Sequence, residues 1–275
     1  MDYLEKDSVY YTLDENGIPI HNDSAFDGMR KAGRLAARVL DYITDYVKPD
    51  VTTEYLDKLC HDFILEHKAV PAPLNYKGFP KSICTSVNHV VCHGIPDNKV
   101  LKEGDILNID VTVILDGWYG DTSRMFCVGS KIPKKAQLLI DATYEAMLAG
   151  IKIIKPGVTL GDVGNAIQIY AESRRFSVVR DFCGHGLGRA FHTLPSVLHF
   201  GEPGKGVKLK KGMFITIEPM INAGKFGTKI LSDGWTAVTK DRSLSAQFEH
   251  SLAVTENGYE IFTLSPKGYT KPPYV

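Results

Sequence analysis

Leu101-Lys102-Glu103-Gly104-Asp105-Ile106-Leu107-Asn108-Ile109-Asp110 has a second version later in the chain, Leu209-Lys210-Lys211-Gly212-Met213-Phe214-Ile215-Thr216-Ile217-Glu218. Each passes from Leu-Lys through a Gly into a β-rich run and ends on a carboxylate, so Asp110 pairs with Glu218. The likeness extends in both directions. Upstream, His93-Gly94-Ile95-Pro96 parallels His192-Thr193-Leu194-Pro195. Downstream, Asp116-Gly117-Trp118 recurs as Asp233-Gly234-Trp235, and Asp121-Thr122-Ser123 corresponds to Glu249-His250-Ser251. One matching decapeptide is unremarkable, but four matching stretches in one order are not. They imply two similar α/β halves, each giving a His and two carboxylates, with a pseudo-twofold site between them.

The helical signals repeat as well. From about Ser24 to Val47, Phe26, Met29, Leu35, Val39 and Ile43 recur at helical spacing, and Lys48-Pro49 ends the run. Val51-Thr52-Thr53 opens a second helix carrying Leu56, Leu59, Phe63 and Leu65. Short β-rich segments then follow from about Ala72 to Gly129. The same order returns with a helix from about Lys134 to Ile154, closed by Lys155-Pro156, and another from Val158-Thr159-Leu160 to about Arg175. Residues 1–23, polar and broken by Asn-Gly and Ile-Pro, read as an irregular arm.

Strand alternation sorts the side chains. In Asn108-Ile109-Asp110-Val111-Thr112 the polar residues share one face and the apolar residues the other, and Thr216-Ile217-Glu218 repeats this. The apolar face is expected under the helices and the polar face along a cleft. Glu249 and His250 must point opposite ways, and the repeat selects Glu249 for the cleft. Four carboxylates there (Asp110, Asp121, Glu218, Glu249) repel one another, by roughly 4 kcal/mol per pair at about 4 Å and an effective dielectric near 20. Two divalent cations balance four such charges, a recurrent arrangement in hydrolases. One imidazole, from His185 or His192, suits transition metals better than Mg or Ca. Singly, each residue reads as ordinary: a solvated carboxylate, a turn histidine at His93, a Gly-rich loop at Cys183–Gly188. The joint pattern carries the specificity.

Composition excludes several other classes. Lys+Arg and Asp+Glu are equal at 32 each, so no excess charge points to nucleic acid or an anionic membrane. No apolar run reaches the roughly 18 residues of a membrane span, and the N-terminus does not read as a secretory signal. The five cysteines (Cys60, Cys84, Cys92, Cys127, Cys183) are odd in number and lack CxxC spacing. That disfavours a disulfide framework or zinc finger and leaves a reduced cytoplasm as the expected location.

Five short contexts carry a family resemblance: Asn-Ile-Asp at 108–110, Tyr-Gly-Asp-Thr-Ser at 119–123, Gly-His-Gly-Leu-Gly at 184–188, Ile-Glu-Pro-Met at 217–220 and Gln-Phe-Glu-His at 247–250. Together they resemble the type I methionine aminopeptidases of peptidase family M24, short bacterial form, continuously from about Phe26 to Leu264. The resemblance implies an α+β pita-bread (creatinase/aminopeptidase) fold, two pseudo-symmetric halves with a curved antiparallel sheet covered by four helices. The expected division is an N-terminal arm over 1–23 and one catalytic domain over 24–275, with halves of about 24–130 and 131–265.

The family's metal ligands fall on Asp110, Asp121, His185, Glu218 and Glu249. Asp121 and Glu249 would bridge two divalent ions (Co, Mn, Fe or Zn), with Asp110 completing one and His185 with Glu218 the other. The catalytic set implied is His93, His192 and Glu218, acting on a peptide attacked by a metal-bridging hydroxide. Glu218 would shuttle the proton, His192 would help hold the oxyanion, and His93 would position the leaving amide. Substrate would also meet Tyr76, Phe79, Cys84, Phe191 and Trp235. Phe79 stands where the family often has Tyr, and Pro73 where some relatives have Cys, which touches pocket shape only. A monovalent cation would map to Asn88, Val90 and Ser245.

The implied activity is removal of the initiator methionine from nascent proteins whose second residue is small. It would be performed by a monomer in transient contact with the ribosome, with no membrane or specific nucleic-acid partner. The spacing from Glu218 to Glu249 leaves no room for the type II helical insertion. The absence of Cys before Cys60 weighs against a zinc-finger extension, and the short lead before the first helix weighs against an X-Pro aminopeptidase or prolidase. Two rival readings differ in class: a non-catalytic pita-bread binding protein, which should lack a ligand, and an M24 aminopeptidase of broader specificity, which the pocket residues would decide.

Overall fold

The computed structural model describes residues 9–274; residues 1–8 of the expected arm, and Val275, lie outside the described residues. Four helices form near where the apolar periodicity places them: α1 Asp23–Ile43, α2 Thr53–Glu66, α3 Lys134–Ile151 and α4 Leu160–Ser173. Their starts are chemically marked. Asn22 accepts from the Ala25 N–H at 3.3 Å, and the Thr52 hydroxyl accepts from the Tyr55 N–H at 3.2 Å. Thr159 and Asp162 form a reciprocal capping box, each side chain accepting from the other's backbone N–H. The ends come earlier than periodicity suggests. Thr44–Tyr46 tightens into a 3-10 turn before Lys48-Pro49, and Arg175 turns the chain with φ at 64° after α4.

In α1 the residues Ala25, Met29, Ala32, Ala36, Leu40 and Ile43 make one buried face. That face lies on the two longest strands, Ile106–Leu115 and Trp118–Cys127. The approach needs glycine: a Cβ on Gly120 would run into the backbone of Ala32 and Gly33.

Among the described residues the main sheet has nine strands. Its path runs Thr193–Val197, Gly184–Gly186, Phe214–Ile217, Glu249–Val254, Trp118–Cys127, Ile106–Leu115 and Val70–Pro71, with every pair antiparallel. Tyr259–Ile261 pairs with the 249–254 strand, and Cys84–Val87 with the 106–115 strand. One apolar cluster, with Ile140, Met147, Ile167, Ile215 and Leu252, lies under α3 and α4. A second, with Leu40, Leu56, Ile64, Leu107 and Val113, lies under α1 and α2. Each such side chain contributes roughly 1.5–3 kcal/mol on burial. This is the pita-bread arrangement, a curled antiparallel sheet with four helices on its apolar side.

Two features depart from or add to the sequence reading. Residues 11–21, read as irregular, form a hairpin of Tyr11–Leu13 with Pro19–His21. The Asn16-Gly17 break is its turn, with Gly17 at φ 75° and Asp14 Oδ1 accepting from the Asn16 and Ile18 N–H groups. Arg124 and Asp41 meet at 2.7 Å beneath the sheet, each side chain only 5% exposed.

His21 closes the hairpin by stacking on Phe214, centroids 4.0 Å apart. Its Nδ1 lies 3.1 Å from the Gly212 carbonyl. Burial presses its pKa from the usual 6.5 down to about 4, against the pull of the Gly212 hydrogen bond. The unfolded chain therefore binds this proton first. The stabilisation is complete above about pH 6.5 and is lost as pH falls toward 4. Between pH 7 and 5 the loss is on the order of 2 kcal/mol, at about 1.4 kcal/mol per pH unit. Denaturant unfolding of His21→Phe should be flatter by that amount over this range than the parent; an unchanged slope would remove His21 from the acid response.

Candidate metal centre

Sheet register explains why distant residues meet. Asp110 faces Ser123 across the central pair, and Thr112 faces Asp121. Ser123 in turn faces Glu249 on the next strand. Residues directly opposite in a ladder share a face, as do residues two apart along a strand. Asp110, Asp121 and Glu249 therefore share the face away from α1. Ser251 faces Thr216, which brings Glu218 to the same side, and Ile215 opposite Gly186 sets His185 beside them.

Hydroxyls orient the carboxylates. Thr112 donates to Asp121 Oδ1 at 2.7 Å, and Thr216 donates to Glu218 Oε1 at 2.7 Å while accepting the His185 N–H at 2.9 Å. The His185 Nδ1–H donates to the Gly186 carbonyl at 3.0 Å. That leaves Nε2 as a bare lone pair, 3.5 Å from Asp121 Oδ2 and 3.7 Å from Glu218 Oε1. Ligand atoms of Asp121, His185 and Glu249 all lie within 4.8 Å of one another.

The electrostatics fit a cation. Burial pushes Asp110 up to about 7. Burial first, then the neighbouring carboxylates, push Asp121, Glu218 and Glu249 well above the carboxylate range. Burial takes His185 down to about 4, leaving it neutral and able to coordinate near neutral pH. Asp110 Oδ1 is buried without a hydrogen-bond partner. Buried acids facing one another, with a bare imidazole nitrogen and an unpartnered carboxylate oxygen, make a donor set that divalent transition metals satisfy.

A cavity of about 420 Å³ opens over these groups. All five expected ligands line it, as do His93, His192, Tyr76, Phe79, Cys84, Phe191 and Trp235. Tyr76 Oη and His192 Nδ1 lie 2.9 Å apart, Phe191 stacks on His192 with centroids 4.1 Å apart, and Trp235 meets Phe79 edge-on at 5.3 Å. His93 sits at φ 55°, in the left-handed region that few non-glycine residues adopt, histidine being among the more tolerant of them. Burial lowers the pKa of His93, and lowers that of His192 to about 3 with help from His185, Lys77 and His93. Burial raises the Cys84 thiol well above 9, so it enters as a neutral, polarisable wall. Asn88, Val90 and Ser245 are not among the lining residues; the Ser245 N–H donates to the Asn88 carbonyl at 2.8 Å.

Sequence reasoning missed several participants. Gln247 Nε2 lies 3.3 Å from Glu218 Oε2, and alternation around Glu249 could have found it. The Glu218 N–H donates to Nε2 of the fully buried His199 at 3.0 Å, and no sequence signal marks that histidine. Lys77, Asp181, Phe182, Cys183 and Met220 complete much of the wall, gathered from a 3-10 turn, a loop and a short strand that only the fold brings together.

No described helix is long and apolar enough to cross a membrane. The sequence pattern of metallopeptidase family M24 matches residues 27–256. The methionine aminopeptidase of Rickettsia prowazekii is 64% identical over 259 residues, covering 94% of this chain and 99% of that protein. The Escherichia coli K12 methionine aminopeptidase is 54% identical, covering 90% and 94%. Crystal structures agree: the Rickettsia prowazekii enzyme superposes with a TM-score of 0.89, covering 90% of this chain and all of that one at 63% identity. The Thermotoga maritima methionine aminopeptidase gives 0.87 at 41% identity, covering 90% and 99%. A Pyrococcus furiosus prolidase, at 20% identity and TM-score 0.70, shares the fold alone. With ligand-competent side chains on one sheet face, and these likenesses along nearly the whole chain, the protein belongs to metallopeptidase family M24 and, within it, to the methionine aminopeptidases.

Proposed function

We propose that this chain removes the N-terminal methionine of nascent proteins whose second residue is small. Asp110, Asp121, His185, Glu218 and Glu249 would hold two divalent ions, of Co, Mn, Fe or Zn. The observation that carries this reading is the burial of four carboxylates and a neutral imidazole on one sheet face, under an aromatic cavity. When bound, the ions supply Lewis acidity and a water acidified to a pKa of about 7.

The chain's own residues do the rest. Glu218, held by Thr216 and Gln247, takes a proton from the attacking water and returns it to the leaving amine. His192, oriented by Tyr76, faces the scissile carbonyl, and His93 faces the leaving residue's amide nitrogen. Tyr76, Phe79, Cys84, Phe191 and Trp235 enclose the unbranched methionine, whose sulfur gains from aromatic contact. Phe191 crowds the next position, which selects small second residues. Buried carboxylates also attract the substrate's free α-ammonium, restricting cleavage to chain ends.

We place residues 24–275 in one catalytic unit of two related halves (about 24–130 and 131–265), preceded by the arm 1–23, and working as a cytoplasmic monomer with transient access to the ribosome. The monovalent-cation expectation at Asn88, Val90 and Ser245 rests on the resemblance alone.

Methionine release should be measured from Met-Ala-Ser, Met-Leu-Ser and Leu-Ala-Ser, using chelated protein refilled with Mn, Fe(II), Co or Zn. Metal-dependent release from Met-Ala-Ser alone is expected. Comparable cleavage of Leu-Ala-Ser would move the enzyme to a broader aminopeptidase. No cleavage with two ions bound would favour a binding protein.

Refilling should also stabilise. In metal-free protein the raised carboxylate pKa values favour the protonated, low-pH form; for Asp110 that contribution is lost as pH rises from 3.8 through about 7. The gain in Tm on adding Mn should therefore be larger at pH 8 than at pH 6. A gain independent of pH would place the ion elsewhere.

A further inference from the structure

The hairpin at residues 11–21 contributes no ligand, yet with Tyr10 it abuts the loop that carries two cavity residues. Tyr10 meets Trp118 edge-on, centroids 5.0 Å apart. The Arg189 guanidinium sits over both rings, 5.5 Å from Tyr10 and 5.3 Å from Trp118, and donates to the Asp116 carbonyl at 2.6 Å. One residue earlier, the backbone at Gly188 lies so close to His21 that an added Cβ would meet Nε2 at 2.6 Å. The Gly188 carbonyl accepts from the Tyr119 N–H at 2.9 Å, and the Tyr119 ring stacks on Phe191 at 5.6 Å. Phe191 in turn stacks on His192. Contacts thus lead from the hairpin to the imidazole facing the cavity: ring and cation–π contacts join Tyr10, Trp118 and Arg189, the backbone hydrogen bond from Tyr119 to Gly188 bridges to the next group, and ring stacking continues through Phe191 to His192.

The hairpin itself is fastened at points away from that loop. Lys210 pairs with Asp14 at 2.8 Å and Glu15 at 2.7 Å, the His21 N–H donates to the Gly212 carbonyl at 2.8 Å, and the Asn22 amide donates to the Val9 carbonyl at 2.6 Å. The hairpin thus has its own attachments, and the loop between the strands Gly184–Gly186 and Thr193–Val197 packs against it.

We infer that the N-terminal hairpin is a brace: Tyr10 and His21 clamp Gly188-Arg189 and thereby set the position in which Phe191 and His192 receive substrate. Tyr10, Trp118 and Arg189 are positioning residues. The inference rests on the reading of Phe191 and His192 as substrate contacts, so its test must separate the two.

The test compares Tyr10→Ala and Tyr10→Phe with the parent, in full-length protein. Amide hydrogen exchange over residues 187–193 is followed in metal-free protein, and kcat and KM for Met-Ala-Ser in Mn-loaded protein. Tyr10→Ala should speed exchange in 187–193 but not in Ile106–Leu115, with Mn affinity unchanged. It should lower kcat/KM about tenfold, since small misplacements of positioning groups are costly. Tyr10→Phe keeps the ring and should restore both. Unchanged exchange over 187–193 in Tyr10→Ala would overturn the brace. Faster exchange with unchanged kcat and KM would overturn its catalytic consequence, whereas full turnover in His192→Ala would overturn the reading of His192 as a substrate contact. Equal acceleration in Ile106–Leu115 would mark general destabilisation and likewise overturn the brace.

Discussion

Asp121→Asn is expected to cost nearly all turnover while making the metal-free protein more stable. Asp121 lies at the middle of the acidic cluster; after burial, its charge is the next cause raising the pKa of both Glu218 and Glu249. The asparagine keeps the size of the side chain and an oxygen able to accept the Thr112 hydroxyl, which now donates to Asp121 Oδ1 at 2.7 Å. It removes one negative charge and one anionic donor. Turnover with saturating Mn should fall at least about a hundredfold, the upper end of what loss of an outer partner of a metal ligand costs. In chelated protein at pH 8 the change relieves repulsion worth up to a few kcal/mol, so Tm should rise. Kinetics and calorimetry on one preparation check both signs. Full activity with two tight ions would sink the assignment of Asp121 as a ligand, and a fall in metal-free Tm would show that its charge is already neutralised within the protein.

Asp41→Ala is expected to destabilise the fold by about 3–5 kcal/mol, the usual cost of leaving a buried charge unpaired. The Arg124 guanidinium meets Asp41 at 2.7 Å and also donates to the Ala37 carbonyl of α1. Asp41 further accepts from the Ser265 hydroxyl and the Lys267 N–H, tying the C-terminal segment to α1. Arg124 Nη1 already has no partner, so removing Asp41 leaves little to compensate the cation. Denaturant unfolding measures the loss. The double variant Asp41→Ala, Arg124→Met should recover part of it by removing the stranded charge; equal destabilisation in both would show that the lost contacts to Ser265 and Lys267, not the charge, dominate.

The helices and the candidate ligands were legible for different reasons. The helices announced themselves through local chemistry: apolar periodicity in α1, the Thr52 and Thr159 caps, and the Lys-Pro stops, all within a few residues of one another. The candidate ligands were legible because the chain states the strand–carboxylate pattern twice, and because alternation separates Glu249 from His250. His250 is indeed turned away, its Nδ1 lying 2.9 Å from the Thr263 hydroxyl. The helix ends and the hairpin were harder. The 3-10 turn at Thr44–Tyr46 buries no residue and is followed by no breaker until Lys48-Pro49, so nothing local sets it apart from the helix before it, and an Asn-Gly turn between two three-residue strands carries too little pattern to distinguish from a coil.

By itself, then, the sequence determined which residues could be ligands, which face of each strand they occupy, and that the strand–carboxylate pattern occurs twice in the chain. These follow from periodicity and side-chain chemistry, both local. Only the tertiary structure decided that the ladder sets Asp110, Ser123 and Glu249 in line, that Thr216 joins His185 to Glu218, and that His199, Gln247 and the Tyr10–Arg189–Trp118 stack support the site. Those contacts join residues far apart in the chain. Their partners are chosen by register and packing, which depend on every strand in the sheet at once and leave no mark on any single segment.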